Sequence, residues 1–204
     1  MTTAQQELPT GWKWVKLRDV CDKITDGSHF SPKTIDEGFP YITVKDLTDG
    51  NIDFVGSKKI SGQDYEDLVR NGCKPNVGDI LFSKDGTVGK TALVEQENDF
   101  VVLSSLAIIT PNLNQVNSGF LYHYLSSDAF VKEATDNKTG VAIRRIVLKS
   151  LKFMSIPLPP LEEQKRIADR LNEAEEIKKT NAESDKKIEE LQSSLLQRAF
   201  RGEL

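Results

Sequence analysis

The spacing of hydrophobic positions along this chain changes once, near residue 158. Before it, apolar residues come in short runs separated by glycine, proline and aspartate. Runs at Trp14–Val20, Phe39–Val44, Asp79–Ser83, Val88–Val94 and Phe100–Thr110, the last with a break, predict strands. Asp26-Gly27, Asp49-Gly50 and Asp85-Gly86 supply the turns. A helix is predicted over Gly119–Ser126 with Ser118 as its cap, from Phe120, Leu121, Tyr124 and Leu125 on one face. A second short helix follows over Ala129–Ala134. This region is α+β and mostly strand.

After "SIPLPP" the pattern is helical. From Leu161 to Phe200 there is neither proline nor glycine, and Glu, Lys, Leu, Gln and Ala dominate. Glu162 and Glu163 complement the helix dipole at its start, Arg198 and Arg201 at its end, and Gly202 is a natural stop. Forty residues of helix would run about 60 Å, too long to fold back along a domain of this size. Ile167, Leu171, Ala174, Ile177, Ile188, Leu191 and Leu195 lie at spacings of three and four once Asn181 and Ser184 fill the central gap. That seam predicts a coiled coil with a polar centre, suited to setting register, and the partner helix must come from another chain. An amphipathic helix lying on its own domain is the alternative. The domains are therefore expected at residues 1–158 and 159–204.

Composition narrows the function classes. The 204 residues are 38% hydrophobic and 28% charged, with a net charge of −4, so no global field advertises a polyanion partner. A basic face can still bind one, because the local field decides. Cys21, Cys73, His29 and His123 are scattered, and no zinc-ligand spacing joins them. No apolar stretch approaches a membrane span, and the first residues lack the regions of a signal peptide, so a cytoplasmic chain with reduced thiols is expected.

The segment "LFSKDGTVGKT" (residues 81–91) ends in Gly89-Lys90-Thr91, the close of a phosphate-binding loop. The full motif needs a glycine at position 84, which is Lys84, and a helix after Thr91, where Ala92-Leu93-Val94 reads as strand. A hairpin turning at Asp85-Gly86 is the better reading; an NTP-binding enzyme built on residues 81–91 is the alternative. No nucleophile elbow is present, and Pro159-Pro160 lies between leucines, outside the amino-methyltransferase pattern.

The stretches "LPTGWKWVKLRDVC", "FPYITVKDL", "VGDILFSKDGTVGKTALV", "LSSLAIITP", "AIRRIVLKSLKFMSIPLPPLEEQKRIADRL" and "LLQRAFRGEL" together resemble the specificity (S) subunits of type I restriction-modification systems. The resemblance runs along almost the whole chain. It implies a non-catalytic subunit whose target recognition domains each read half of a split DNA sequence. It also implies conserved helices that space those domains and dock methyltransferase (M) subunits, which use S-adenosylmethionine; a restriction (R) subunit completes the nuclease. No cofactor is expected in this chain itself.

Family subunits carry two recognition domains and two helices, and this chain has one of each. The resemblance implies a homodimer of half-subunits through an antiparallel coiled coil, reading a symmetric interrupted site. A truncated copy, pairing with a different half-subunit, and a coiled-coil adaptor that binds no DNA are the alternatives. Candidate contacts to double-stranded DNA are Ser28, His29 and Lys33 in "TDGSHFSPKT", together with Lys45, Lys84, Lys90, Lys138, Arg144, Arg145 and Lys149. Trp12 and Trp14 are expected in the core and first strand.

Overall fold

The most hydrophobic strands form the centre of the fold. A computed structural model describes residues 7–136 and 145–201, without the side chains of residues 196, 198 and 199. β7 (Ile80–Ser83) is buried throughout, and β10 (Leu106–Pro111) at every residue but Thr110. Such strands read as unbroken apolar runs because both faces are covered. They pair antiparallel in a four-stranded sheet of order β2-β10-β7-β8, with β2 at Cys21–Asp26 and β8 at Thr91–Leu93.

One core joins Leu81, Ala92, Leu106 and Ile108 of this sheet to Ile42, Leu47, Phe100 and Val102. Against β7 and β8 pack α2 (Ser118–Ser126) and α3 (Asp128–Asp136), with the Phe82 and Phe130 rings edge to face at 5.8 Å. A second sheet, β6-β3-β9 (Lys58–Ile60, Phe39–Ile42, Val101–Val102), contains one parallel pair, β3 with β9. It packs with α1 (Gly62–Arg70) around Tyr41, Ile60, Leu68, Cys73 and Val101. β4 (Leu47–Thr48) and β5 (Asn51–Ile52) form a hairpin turning at Asp49-Gly50.

The expected strand Trp14–Val20 is in fact β1 (Lys13–Lys16) followed by a 3-10 turn at Leu17–Val20. The break has a tertiary cause: β1 pairs with β11 (Ser155–Leu158), whereas β2, just beyond the turn, pairs with β10. Trp14 is half-buried in β1; Trp12 is half-buried just ahead of it, its indole donating to Glu163 Oε2 at 3.2 Å. The expected break in Phe100–Thr110 separates β9 from β10. Asn117, one residue before the expected Ser118, caps α2 by accepting from the Phe120 amide. Helix α1 was not expected, although Ser61 accepting from the Asp64 amide is a standard cap, with Tyr65, Leu68 and Val69 on one face behind it. A short helix, α4 (Leu148–Lys152), follows the segment 137–144.

The C-terminal helix, α5, runs over Leu161–Phe200 as expected; Gly202 lies outside the described residues. The chain divides into two compact units, Met1–Lys165 and Arg166–Leu204. The first turn of α5 thus belongs to the first unit, where Gln164 is fully buried. Its amide nitrogen donates to the Gln115 and Pro159 carbonyls, and its oxygen accepts from the Asn117 amide at 2.8 Å. Along the second unit Leu171, Ala174, Ile177, Ile188, Leu191 and Leu195 are exposed, and Ile167 is half-buried. Both cysteines are free thiols, and burial pushes that of Cys21 up to about 12. Among the described residues no helix is long and apolar enough to cross a membrane.

Candidate nucleic-acid interface

At the end of β2 the chain enters a loop, Gly27–Lys33, whose backbone is clamped to the sheet. The Gly27 amide donates to Leu106 O at 3.1 Å, the Ser28 amide to Val102 O at 2.7 Å, and the Ser104 amide to Ser28 O at 2.8 Å. Only glycine fits at 27, because a Cβ there would overlap the Val102 and Leu103 carbonyls. Ser28 closes the loop internally: its hydroxyl donates to Phe30 O at 2.6 Å and accepts from the Phe30 amide at 3.1 Å. The Tyr41 hydroxyl donates to the same carbonyl, and burial raises its pKa, so it stays a protonated donor. Ser28 is therefore a buried structural residue and not the surface reader expected. His29, Phe30 and Lys33 are exposed.

Lys84 is a second correction. It is 1% exposed, and its ammonium lies 2.6 Å from Asp26 Oδ1, so it holds the base of the loop and does not meet solvent. The other Asp26 oxygen is 3.4 Å from His29 Nε2. Residue 84 also joins two further segments, donating its amide to Ser105 O and accepting from the Ile146 amide. Next to it Asp85 bridges to Arg145, whose Nε is 3.0 Å from Asp85 Oδ1. The loop, the 84–85 turn and Arg145 thus form one neighbourhood. Lys149, exposed on α4, follows Leu148, which lines a cleft with His29 and Phe30.

That cleft, about 690 Å³ in volume, is lined by the loop and by α1 with the residues just beyond it. Its far wall carries Asp64, Asp67, Arg70 and Asn71. Arg70 is ion-paired with Asp67, and Asp64 accepts from the Ser61 hydroxyl at 2.7 Å. Carboxylate and amide groups suit base edges better than phosphates, since carboxylates accept from exocyclic amines and repel the backbone. Arg70 and Asn71 went unnoticed in the sequence because α1 did.

Residues 81–91 form the expected hairpin, β7 paired with β8, though the second strand starts only at Thr91. Ser83 organises the turn: its hydroxyl donates to Thr87 O and accepts from the Lys90 amide at 2.7 Å, and its carbonyl accepts from the Gly89 amide. The Gly89 and Lys90 amides, which a phosphate would need, are already donated to Ser83. Gly89 has φ +100°, and a Cβ there would lie 2.5 Å from Val131 of α3. The Lys90 ammonium donates to Leu47 O at 2.7 Å and Val44 O at 3.4 Å, which pins the start of the β4–β5 hairpin to this turn. The Gly-Lys-Thr triplet is thus a packing device, and Lys90 is committed to carbonyls where a DNA contact was expected. Lys45, on the 3-10 turn Val44–Asp46, is exposed. Lys138 and Arg144 lie outside the described residues. Among the described residues no group of three or more His, Cys, Asp or Glu could hold a metal.

A family model, the type I restriction modification DNA specificity domain, matches residues 9–192, so the chain belongs to that family. Among similar proteins, the type I restriction enzyme EcoBI specificity subunit of Escherichia coli is 31% identical over 83% of this chain and 36% of its own length. The putative MjaX specificity subunit of Methanocaldococcus jannaschii is 28% identical over 84% of this chain and 41% of its own. The crystal structure of the HsdS subunit from Thermoanaerobacter tengcongensis superposes with a TM-score of 0.62 at 26% identity, covering all of this chain and 48% of that one. A chain from a study of assembly and conformational transition of the type I R-M system reaches 0.68 at 27% identity, covering 98% of this chain and 48% of that one. The chain spans about half the length of these solved relatives, and less of the curated ones.

Proposed function

We propose that this chain is a sequence-specificity subunit of a type I restriction-modification complex, acting in the cytoplasm, with one target recognition domain instead of two. It catalyses nothing itself. It reads one half of a bipartite double-stranded DNA target and docks the methyltransferase subunit, which supplies the S-adenosylmethionine chemistry; a restriction subunit can join the same scaffold. The observation that carries the reading is the family match over residues 9–192, which takes in both the strand-rich unit and most of the long helix.

In this reading His29 reaches base edges, while exposed Lys33, Lys45 and Lys149 neutralise phosphates; Arg145 joins them on leaving Asp85. Each phosphate neutralised adds about −0.9 to the slope of log affinity against log salt, so binding by the assembled complex falls steeply as salt rises. A flat salt response would remove the lysine assignment. Two copies pair through the seam that includes Ile177, Ile188, Leu191 and Leu195, whose side chains are exposed along α5. Antiparallel pairing rebuilds two recognition domains on two helices and dictates a two-fold symmetric, interrupted target.

The deciding experiment is genome-wide sequencing of methylated adenine in cells carrying the chain with its methyltransferase. The expected outcome is a symmetric bipartite motif. Absence of any motif would defeat the DNA-recognition reading, and an asymmetric one would defeat the homodimer. Sedimentation checks the dimer independently: Ile188→Glu with Leu191→Glu should give a monomer.

A further inference from the structure

Phe30 is an exposed aromatic on an immobilised backbone. The residue is 65% exposed, whereas its own amide and carbonyl make three hydrogen bonds, two with the Ser28 hydroxyl and one from the Tyr41 hydroxyl. Upstream, Gly27 and Ser28 are clamped to β9 and β10 by their amides, and the loop base is held by the pair between buried Lys84 and half-buried Asp26. A large apolar side chain left in water costs free energy. Here the fold also spends a lysine, a tyrosine hydroxyl and an obligatory glycine on fixing where that side chain stands. Backbone held in place before binding means that little ordering entropy remains to be lost when the ring is covered.

The surroundings indicate what covers it. His29, Ser31, Lys33 and Thr34 are all exposed polar residues beside Phe30 in sequence. The adjoining cleft is lined by Asp64 and the paired Asp67 and Arg70 of α1, and by Asn71 just beyond it. An apolar ring beside hydrogen-bonding groups and the Lys33 cation suits a surface that is flat and apolar on its face and polar at its edge. A base step has that character: rings stack on it or wedge into it while neighbours meet base edges and phosphate.

We infer that Phe30 is a specificity-determining residue that packs against a base step of the target half-site, positioned by the clamped Gly27–Phe30 loop. The inference rests on the DNA-recognition reading above and assigns it a contact of a different kind from the lysines. Because the contact is with a base face, removing it should leave the number of neutralised phosphates unchanged.

The test uses the chain assembled with its methyltransferase subunit, on the target found by methylation sequencing, with 2-aminopurine placed at successive positions of one half-site other than the methylated adenine, which a methyltransferase itself takes out of the stack. The native complex should raise fluorescence at one step. Phe30→Ala should abolish that rise and weaken specific binding about tenfold or more, with the salt slope unchanged. Phe30→Tyr should retain both, and Lys33→Ala should lower the salt slope while keeping the fluorescence. An unchanged melting temperature for Phe30→Ala, expected for so exposed a ring, excludes misfolding as the cause. Native fluorescence and affinity in Phe30→Ala would overturn the inference while leaving DNA recognition standing. So would loss of the methyltransferase subunit on purification of that variant, which would place the ring at a protein interface. A native complex with no sequence-specific binding would instead overturn the underlying reading.

Discussion

Two loops of this domain leave strands of the same sheet and carry similar residues, yet they do opposite things. Gly27–Lys33 follows β2, and Lys84–Lys90 follows β7; each contains glycine, serine or threonine, and lysine. For both, a serine hydroxyl serves as donor and acceptor that locks the turn, Ser28 within the first and Ser83, the last residue of β7, at the base of the second. The first loop uses that rigidity to hold His29 and Phe30 in solvent. The second turns its cations inward, Lys84 onto Asp26 and Lys90 onto the Val44 and Leu47 carbonyls. Cation content alone therefore does not identify a binding loop. What matters is whether the hydrogen-bonding capacity is already used within the fold.

The sharpest way to break the comparison is to remove the ammonium that links the loops. Lys84→Ala should destabilise the domain by on the order of 3 kcal/mol, because it leaves the Asp26 carboxylate without its buried partner. Replacing both, Asp26→Asn with Lys84→Met, should recover much of that loss in denaturant unfolding. If Lys84→Ala instead kept full stability and lost DNA affinity, Lys84 would belong with the displayed residues.

Lys90→Ala should cost about 1–2 kcal/mol by unpinning the β4–β5 hairpin. Calorimetric titration of the native chain with ATP and GTP should show no micromolar binding, since the Gly89 and Lys90 amides and the Lys90 ammonium are already donated; a signal that Lys90→Ala abolishes would restore a nucleotide site.

Asp79, at the entrance to β7, is 2% exposed, and burial raises its carboxyl pKa although the Asn76 amide donates to it at 2.8 Å. Its folded pKa lies above the unfolded value, so its contribution to stability falls as pH rises through that window. Asp79→Asn keeps an acceptor and removes the charge. A gain in stability at neutral pH, with a flatter acid-side profile, is expected from unfolding at several pH values. Smallest of all, Lys33→Ala should change stability by less than about 0.5 kcal/mol, because the side chain is exposed. A larger loss would mean that the first loop, too, is built on its cations.

How much was legible beforehand depends on how local each cause is. The helix Leu161–Phe200, the 81–91 hairpin and the helices near 119 and 129 follow from propensity, capping and turn residues within a few positions. Helix α1 was legible as well, from Ser61 and the spacing of Tyr65, Leu68 and Val69, although it was not expected. Of the candidate contacts, His29, Lys33, Lys45 and Lys149 stand exposed and Arg145 is exposed but paired, whereas Ser28 and Lys84 are buried and Lys90 is engaged. Nothing within ten residues of Lys84 announces Asp26.

The sequence by itself therefore determined the division into a strand-rich unit and a long helix, the helix bounds, the seam and the absence of a full phosphate-loop motif. Each depends on periodicity or on the conformational preferences of nearby residues. Only the tertiary structure decided that β1 pairs with β11, that the Gly27–Lys33 loop is clamped against β9 and β10, and which lysines turn inward. Those outcomes depend on partners from about forty to well over a hundred residues away, and whether a polar group is displayed or consumed depends on what the fold brings beside it.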